Sequence, residues 1–260
     1  MTTTDLLGRL RADPGTTGLF LDFDGTLAEI VPDPKQALPV EGAVEVLSAL
    51  ASRFAVVAVV SGRRAVGLAE RLGRPVDIRC FGLYGLEDLD GPLDPQATRA
   101  LETMGRLLPE LERVASSVPG ARVEPKGFHA SIHYRAAPEP QPARETLLRS
   151  LGAAIAGTGM RLLEGKRVIE VAPERGPSKG DVVRRVAAEE RLRGVLYAGD
   201  DLPDLEAFAA VEELRRSGLV GIRIAVRSAG APEEVLGAAD LVVDGPGALV
   251  ELLRGLLSPR

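Results

Sequence analysis

Cysteine is almost missing from this 260-residue chain: Cys80 stands alone. No intrachain disulfide framework and no thiolate zinc cluster can be built from one thiol. Histidine is nearly as scarce, with only His129 and His133. A Ser-His-Asp triad, a three-histidine zinc site or a phosphohistidine mechanism would have to draw on those two. Excess positive charge is lacking as well. The net charge is −5, which argues against broad binding to nucleic acid or to anionic membranes. No apolar run reaches the length of a membrane span. The opening MTTTDLLGRLRADPG lacks the basic-then-apolar order of a secretion signal. Together with the lone cysteine, this predicts a cytoplasmic protein, taken as a monomer. Lysine is the last scarcity. Of 32 cationic residues, only Lys35, Lys126, Lys166 and Lys179 are lysines. Where arginine supplies generic charge, lysine suits places that need a compact ammonium, although chance retention explains any one of them equally well.

What is present is ordinary globular material, 45% hydrophobic and 27% charged, enough for one large domain or two modest ones. Residues 18–21 read as a buried strand ending in Asp22-Phe23-Asp24-Gly25-Thr26. Residues 41–52 have helical spacing, and 54–60 form an apolar, β-branched strand that stops at Ser61-Gly62, where a helix of about ten residues is predicted. Strand–helix alternation implies a parallel sheet covered on both faces. The pattern returns late: a strand at 195–198 ends at Gly199-Asp200-Asp201, followed by a helix from Pro203, strands at 221–226 and 240–244, and a last helix from Gly247. The middle differs. A helix over 96–118, short strands at 121–126 and 128–135, a proline-rich link at 137–142, a helix near 144–156 and strands at 161–164 and 167–171 predict a small α+β unit with an antiparallel sheet. The expected fold is therefore α/β, a Rossmann-like parallel sheet formed by 1–93 and 176–260, with an inserted α+β cap at 94–175.

Four strand or helix ends carry the chemistry. Asp22 and Asp24 lie two apart, the same side of an extended strand, and paired carboxylates there suit a hard cation such as Mg²⁺. Acids and glycine also make plain turns, so this pair alone leaves a solvated loop equally open. Ser61 ends a second strand, where a hydroxyl and free N–H groups suit a phosphate oxygen. Lys179-Gly180 opens another helix. Asp200 and Asp201 end a third strand, with Asp204 one helical turn on. Each could be a cap or a solvated charge; four in this order are hard to assign to capping alone.

In this order the motifs Asp22-Phe23-Asp24-Gly25-Thr26-Leu27, Ser61-Gly62-Arg63, Lys179-Gly180 and Gly199-Asp200-Asp201-Leu202-Pro203-Asp204 resemble those of the haloacid dehalogenase-like phosphatases. The resemblance implies Asp22 as nucleophile, Asp24 as general acid and base, and Ser61 and Lys179 as phosphate-stabilising groups. It implies Mg²⁺ on the Asp22 side chain, the Asp24 carbonyl and Asp200, with Asp201 and Asp204 behind them or as occasional ligands. Within that superfamily the chain is similar to trehalose-6-phosphate phosphatases, on Glu124-Pro125-Lys126, His133-Tyr134-Arg135 and Gly165-Lys166-Arg167-Val168-Ile169-Glu170. By that similarity Arg63, Glu124, Lys126, Arg135, Lys166 and Glu170 bind the sugar phosphate, with Arg63 facing the cap, although a solvated first-turn arginine is open for Arg63. From the residues alone, a polar strand face reads more readily as an ordinary solvated one. His133 is a weaker candidate for lining the cleft, and His129 is read as exposed or structural. Cys80 is read as packing.

Two positions depart from the family pattern: Tyr84 stands where histidine is common, and Ala172 precedes Pro173 where arginine is usual. Both are expected to bear on what the cap accepts. The implied activity is Mg²⁺-dependent hydrolysis of trehalose 6-phosphate, with no nucleic-acid or membrane partner. The alternatives are the same chemistry on another glycosyl or pseudo-disaccharide phosphate, a phosphomutase, or a non-catalytic sugar-phosphate sensor, which has no need of the acid at position 24.

Overall fold

A computed structural model describes residues 2–74, 76–89, 95–165, 167–174, 178–228 and 230–258. The chain divides into two compact units, Met1–Pro92 with Ser178–Arg260, and Leu93–Pro177. The first begins with α1 (Thr3–Ala12), β1 (Thr17–Leu21), α2 (Ala43–Ala51), β2 (Val56–Val60), α3 (Ala65–Arg71), β3 (Arg79–Gly82) and β4 (Glu87–Asp88). The second contains α4 (Pro95–Ser116), β5 (Arg122–Pro125), β6 (Ala130–His133), α5 (Pro140–Ile155), β7 (Met160–Gly165) and β8 (Val168–Pro173). The first resumes with α6 (Lys179–Glu189), β9 (Gly194–Gly199), α7 (Asp204–Arg216), β10 (Val220–Val226), α8 (Glu233–Ala238), β11 (Leu241–Val243) and α9 (Gly245–Gly255).

The first unit's sheet has the order β11-β10-β9-β1-β2-β3-β4, parallel except for the antiparallel edge strand β4. Its central strands are apolar on both faces because both are covered. Leu19 and Leu21 of β1 point to one face, with Leu47 of α2 and Leu253 of α9. Phe20 points to the other, with Val183 of α6 and Phe208 of α7. The order reverses at β1, between β2 and β9, so the carboxyl ends of these strands flank the switch point where open α/β sheets bind ligands.

The second unit's sheet, β5-β6-β8-β7, is antiparallel throughout. Its register separates two faces. Val123, Ile132 and Ile169 share one face and join a core with Leu111 of α4 and Leu147 of α5. Glu124, Ser131 and Glu170 pair across the other, next to Arg122 and His133.

Local boundaries differ from the sequence reading in three places. The helix after β2 is seven residues long and starts at Ala65, not at Ser61-Gly62. The Ser61 and Arg63 carbonyls accept from Tyr84 and Leu83 N–H, so they are unavailable to a helical ladder. Second, α5 starts inside the proline-rich link, at Pro140, because proline at the first helical position gives up an N–H that has no helical partner anyway. Third, β6 ends at His133, leaving Arg135 in an exposed turn. The helix α1 went unread; Thr2 and Asp5 close a reciprocal capping box at its start.

Candidate active site

In the first unit, Asp22 follows β1 directly and its N–H donates to the Ala198 carbonyl of β9, 2.9 Å away. Lys179 is the first residue of α6, set there by Ser178, whose hydroxyl accepts from Asp181 N–H while the Asp181 carboxylate accepts from Ser178 N–H. Its Nζ lies 2.7 Å from both Asp22 Oδ1 and Asp204 Oδ1. Asp204 opens α7 and is fully enclosed. Its Oδ1 also accepts from the Tyr197 hydroxyl, and its Oδ2 from the N–H groups of Asp200 and Asp201. With both oxygens committed, Asp204 organises the loop and anchors the ammonium.

Asp200 accepts from the Thr26 hydroxyl at 3.2 Å and from the Ser228 hydroxyl at 2.7 Å. Gly25 has φ +81°, and a Cβ there would collide with the Asp200 carboxylate, so only glycine brings the first loop this close. Asp22, Asp200 and Asp204 present carboxylate oxygens within 4.8 Å of one another. Three buried carboxylates therefore face one ammonium. Burial pushes Asp22 well above the usual carboxylate range; Lys179 opposes this, and Asp204 and Asp200 reinforce it. Burial also lifts Asp200 to about 6, against the hydrogen bond from Ser228. For Lys179, burial acts downward, but Asp204 and Asp22 outweigh it and hold the ammonium above its ordinary value. An all-oxygen donor set with excess negative charge fits a hard divalent cation.

The Asp24 carboxylate does not join this cluster. The chain leaves the extended conformation after Asp22: the Phe23 carbonyl accepts from Thr26, Leu27 and Ala28 N–H, forming a tight turn. Strand alternation therefore does not align the two acids. Asp24 is instead gripped in a two-pronged fork by Arg63, at 2.7 Å and 2.5 Å. The Arg63 guanidinium lies 5.3 Å from the Phe23 ring centroid. Ser61 is buried, and its hydroxyl accepts from Arg63 N–H at 3.2 Å. Asp201 is exposed, its carboxylate turned to Leu202 N–H.

In the second unit, the polar sheet face holds Glu124 2.7 Å from His133 Nε2 and 3.8 Å from Lys126 Nζ. The His133 contact draws Glu124 below the usual glutamate range, against burial. Ser131, fully buried, donates to Glu170 at 3.2 Å. His129 has an enclosed Nδ1 with no partner, and burial lowers its affinity for a proton. Arg135, in its turn, lines a pocket together with Arg122 and His133. Lys166 lies outside the described residues. Thr26, Tyr197, Ser228 and Ser131 escaped the sequence reading. Thr26 sits inside the first motif, but hydroxyls at 197 and 228 leave no local signal.

The trehalose-phosphatase family model matches residues 20–234, most of both units. The chain belongs to the trehalose-phosphatase family. Its core is accordingly of the haloacid dehalogenase-like kind. Among relatives, the trehalose-phosphate phosphatase of Mycobacterium avium (strain 104) is 35% identical over 222 residues, covering 80% of this chain and 54% of that protein. The trehalose-6-phosphate phosphatase of Escherichia coli (strain K12) is 32% identical over 226 residues, covering 85% and 82%. The chain thus spans about half the length of the mycobacterial trehalose-phosphate phosphatases it matches. The structure of Aspergillus fumigatus trehalose-6-phosphate phosphatase superposes with a TM-score of 0.74 at 21% identity, covering 99% of this chain and 97% of that one. At that identity the family likeness extends to the fold. Among the described residues, no helix is long and apolar enough to cross a membrane.

Proposed function

We propose that this member of the family hydrolyses trehalose 6-phosphate to trehalose and phosphate in the cytoplasm, with 1–93 and 176–260 as catalytic core and 94–175 as specificity cap. The observation that carries the chemistry is the buried cluster in which Lys179 bridges Asp22 and Asp204 beside Asp200. Asp22 attacks phosphorus, forming an aspartyl phosphate as the bond to the sugar oxygen breaks. Asp24 gives that oxygen a proton. It then takes one from the water that attacks the aspartyl phosphate, and the bond to Asp22 breaks to release phosphate.

A carboxylate approaching a phosphate dianion meets repulsion, which Lys179, the Ser61 hydroxyl and the loop N–H groups offset. The Asp22 side chain, the Asp24 carbonyl and Asp200 would hold Mg²⁺. Such an ion supplies charge neutralisation where negative charge gathers in the transition state. Asp204 keeps Lys179 aimed at Asp22 through its ion pair. Arg63 contacts the substrate phosphate, and the dianion competes with Asp24 for its guanidinium. On the cap, Glu124, Lys126, Arg135, Lys166 and Glu170 engage the sugar phosphate, carboxylates accepting from sugar hydroxyls.

Phosphate release from a panel of sugar phosphates tests this directly. Trehalose 6-phosphate should be turned over fastest. Preference for another glycosyl phosphate would move the substrate and keep the chemistry, whereas no release from any ester, generic aryl phosphate included, would remove the enzyme.

A further inference from the structure

The backbone between β3 and β4 adopts a costly conformation where it lies against the Ser61-Gly62-Arg63 loop. Leu83 and Tyr84 have φ of 49° and 59°, two successive side-chain-bearing residues in the left-handed region. This turn spends its N–H groups on one loop. Leu83 N–H donates to the Arg63 carbonyl at 2.8 Å, and Tyr84 N–H to the Ser61 carbonyl at 2.9 Å. The Tyr84 ring covers Gly62, where an added Cβ would lie 2.9 Å from the phenol carbon and oxygen. Beyond the turn, Glu87 is buried. Its Oε2 accepts from Ala65 N–H at 2.8 Å and its Oε1 pairs with Arg64 at 2.5 Å. On its other side the turn meets the Lys179 helix, since a Cβ on Gly85, at φ +101°, would strike Val182 of α6.

We infer that the Gly82–Glu87 segment is a clamp that sets the Ser61-Gly62-Arg63 loop, and its position relative to α6, for phosphate, with Tyr84 and Glu87 as positioning residues. The inference rests on the proposed reading that this loop holds the substrate phosphate. It also revises the expectation that Tyr84 bears on what the cap accepts. A turn bonded to the Ser61 and Arg63 carbonyls acts on every phosphate ester alike, whatever the sugar.

The test measures KM and kcat for p-nitrophenyl phosphate and trehalose 6-phosphate, calorimetric Kd for inorganic phosphate with Mg²⁺ present, and Tm, all on the full chain. Tyr84→Val disfavours the left-handed backbone, whereas Tyr84→Asn tolerates it without the ring. Glu87→Ala strips the cap from Ala65, and Glu87→Gln keeps one oxygen for it. Tyr84→Val and Glu87→Ala should raise phosphate Kd and both KM values about tenfold, by one common factor and with a smaller change in kcat. Tyr84→Asn and Glu87→Gln should recover most of that loss at near-normal Tm. Unchanged phosphate Kd in folded Tyr84→Val and Glu87→Ala would overturn the clamp, as would a loss confined to trehalose 6-phosphate. If those two variants do not fold, Glu87→Gln decides: a two- to threefold weaker phosphate Kd at normal Tm supports the clamp and a normal Kd overturns it. An unaltered protein that hydrolyses no ester would instead count against the phosphatase reading.

Discussion

The clustered acids and lysine of the first unit and the charged sheet face of the second sit in different dielectric surroundings. In the first unit Asp22, Lys179, Asp200 and Asp204 are 5%, 3%, 2% and 0% exposed. Each holds or is held by another through short contacts. In the second, the side chains of Glu124, Lys126 and His133 are 45%, 37% and 27% exposed. A buried pair that loses one partner forfeits about 3–5 kcal/mol, because the other charge is stranded, whereas an exposed pair is worth about 0–1 kcal/mol. Bond making calls for groups that do not reorganise during the reaction, and the first arrangement provides it. Reading a flexible polyol calls for groups that can still exchange water for ligand, which suits the second.

The largest test of that contrast is Asp22→Asn. The amide is nearly isosteric but a poor nucleophile, so turnover of every ester should fall by about 10⁴-fold or more. Beryllium fluoride trapping with Mg²⁺ should place its adduct on Asp22 in the unaltered protein. Near-normal rates in the purified variant, or an adduct on another acid, would end the covalent mechanism.

Next in size is the metal. Excess chelator should remove activity, Mg²⁺ should restore it, and zinc should substitute poorly at an all-oxygen site. Asp200→Ala should cut the rate by about 10²-fold or more on generic and sugar substrates together. Full activity in chelator would rule out the cation site.

The smallest effects belong to the exposed face, and they should be selective. Glu124→Ala and Glu170→Ala should lower kcat/KM for trehalose 6-phosphate roughly ten- to a hundredfold, as expected for lost hydrogen bonds to charged groups. Hydrolysis of p-nitrophenyl phosphate should stay within about threefold, because in the proposed mechanism the first unit holds the phosphate. Equal losses on both substrates would assign these residues to the stability of their own sheet.

The same contrast explains what the sequence made legible. The order of strands and helices in the first unit was readable because apolar runs end abruptly in Asp22, Ser61 and Asp200, a local signal. The polar face of β5, β6 and β8 was readable from alternation. What joins Asp24 to Arg63, or Asp200 to Ser228, was not. Those contacts cross 39 and 28 residues and depend on how turns close. The tight turn after Asp22 undid the alternation argument because the Phe23 carbonyl gathers three N–H groups, which no residue spacing announces. Tyr84 was visible as an oddity, while its backbone conformation was not, since tyrosine carries no preference for positive φ.

The central place of β1 has a consequence for how the protein is made. This strand is synthesised well before one of its neighbours, β9, which pairs Gly194 with Thr17 and Ala198 with Leu21. Until β9 emerges, β1 has one bare hydrogen-bonding edge, apolar on both faces. Such an edge invites pairing with other chains, and a pairing this distant in sequence closes slowly. Truncation before residue 194 should therefore yield aggregating chains even when the second unit, contiguous in sequence and carrying its own core, is complete.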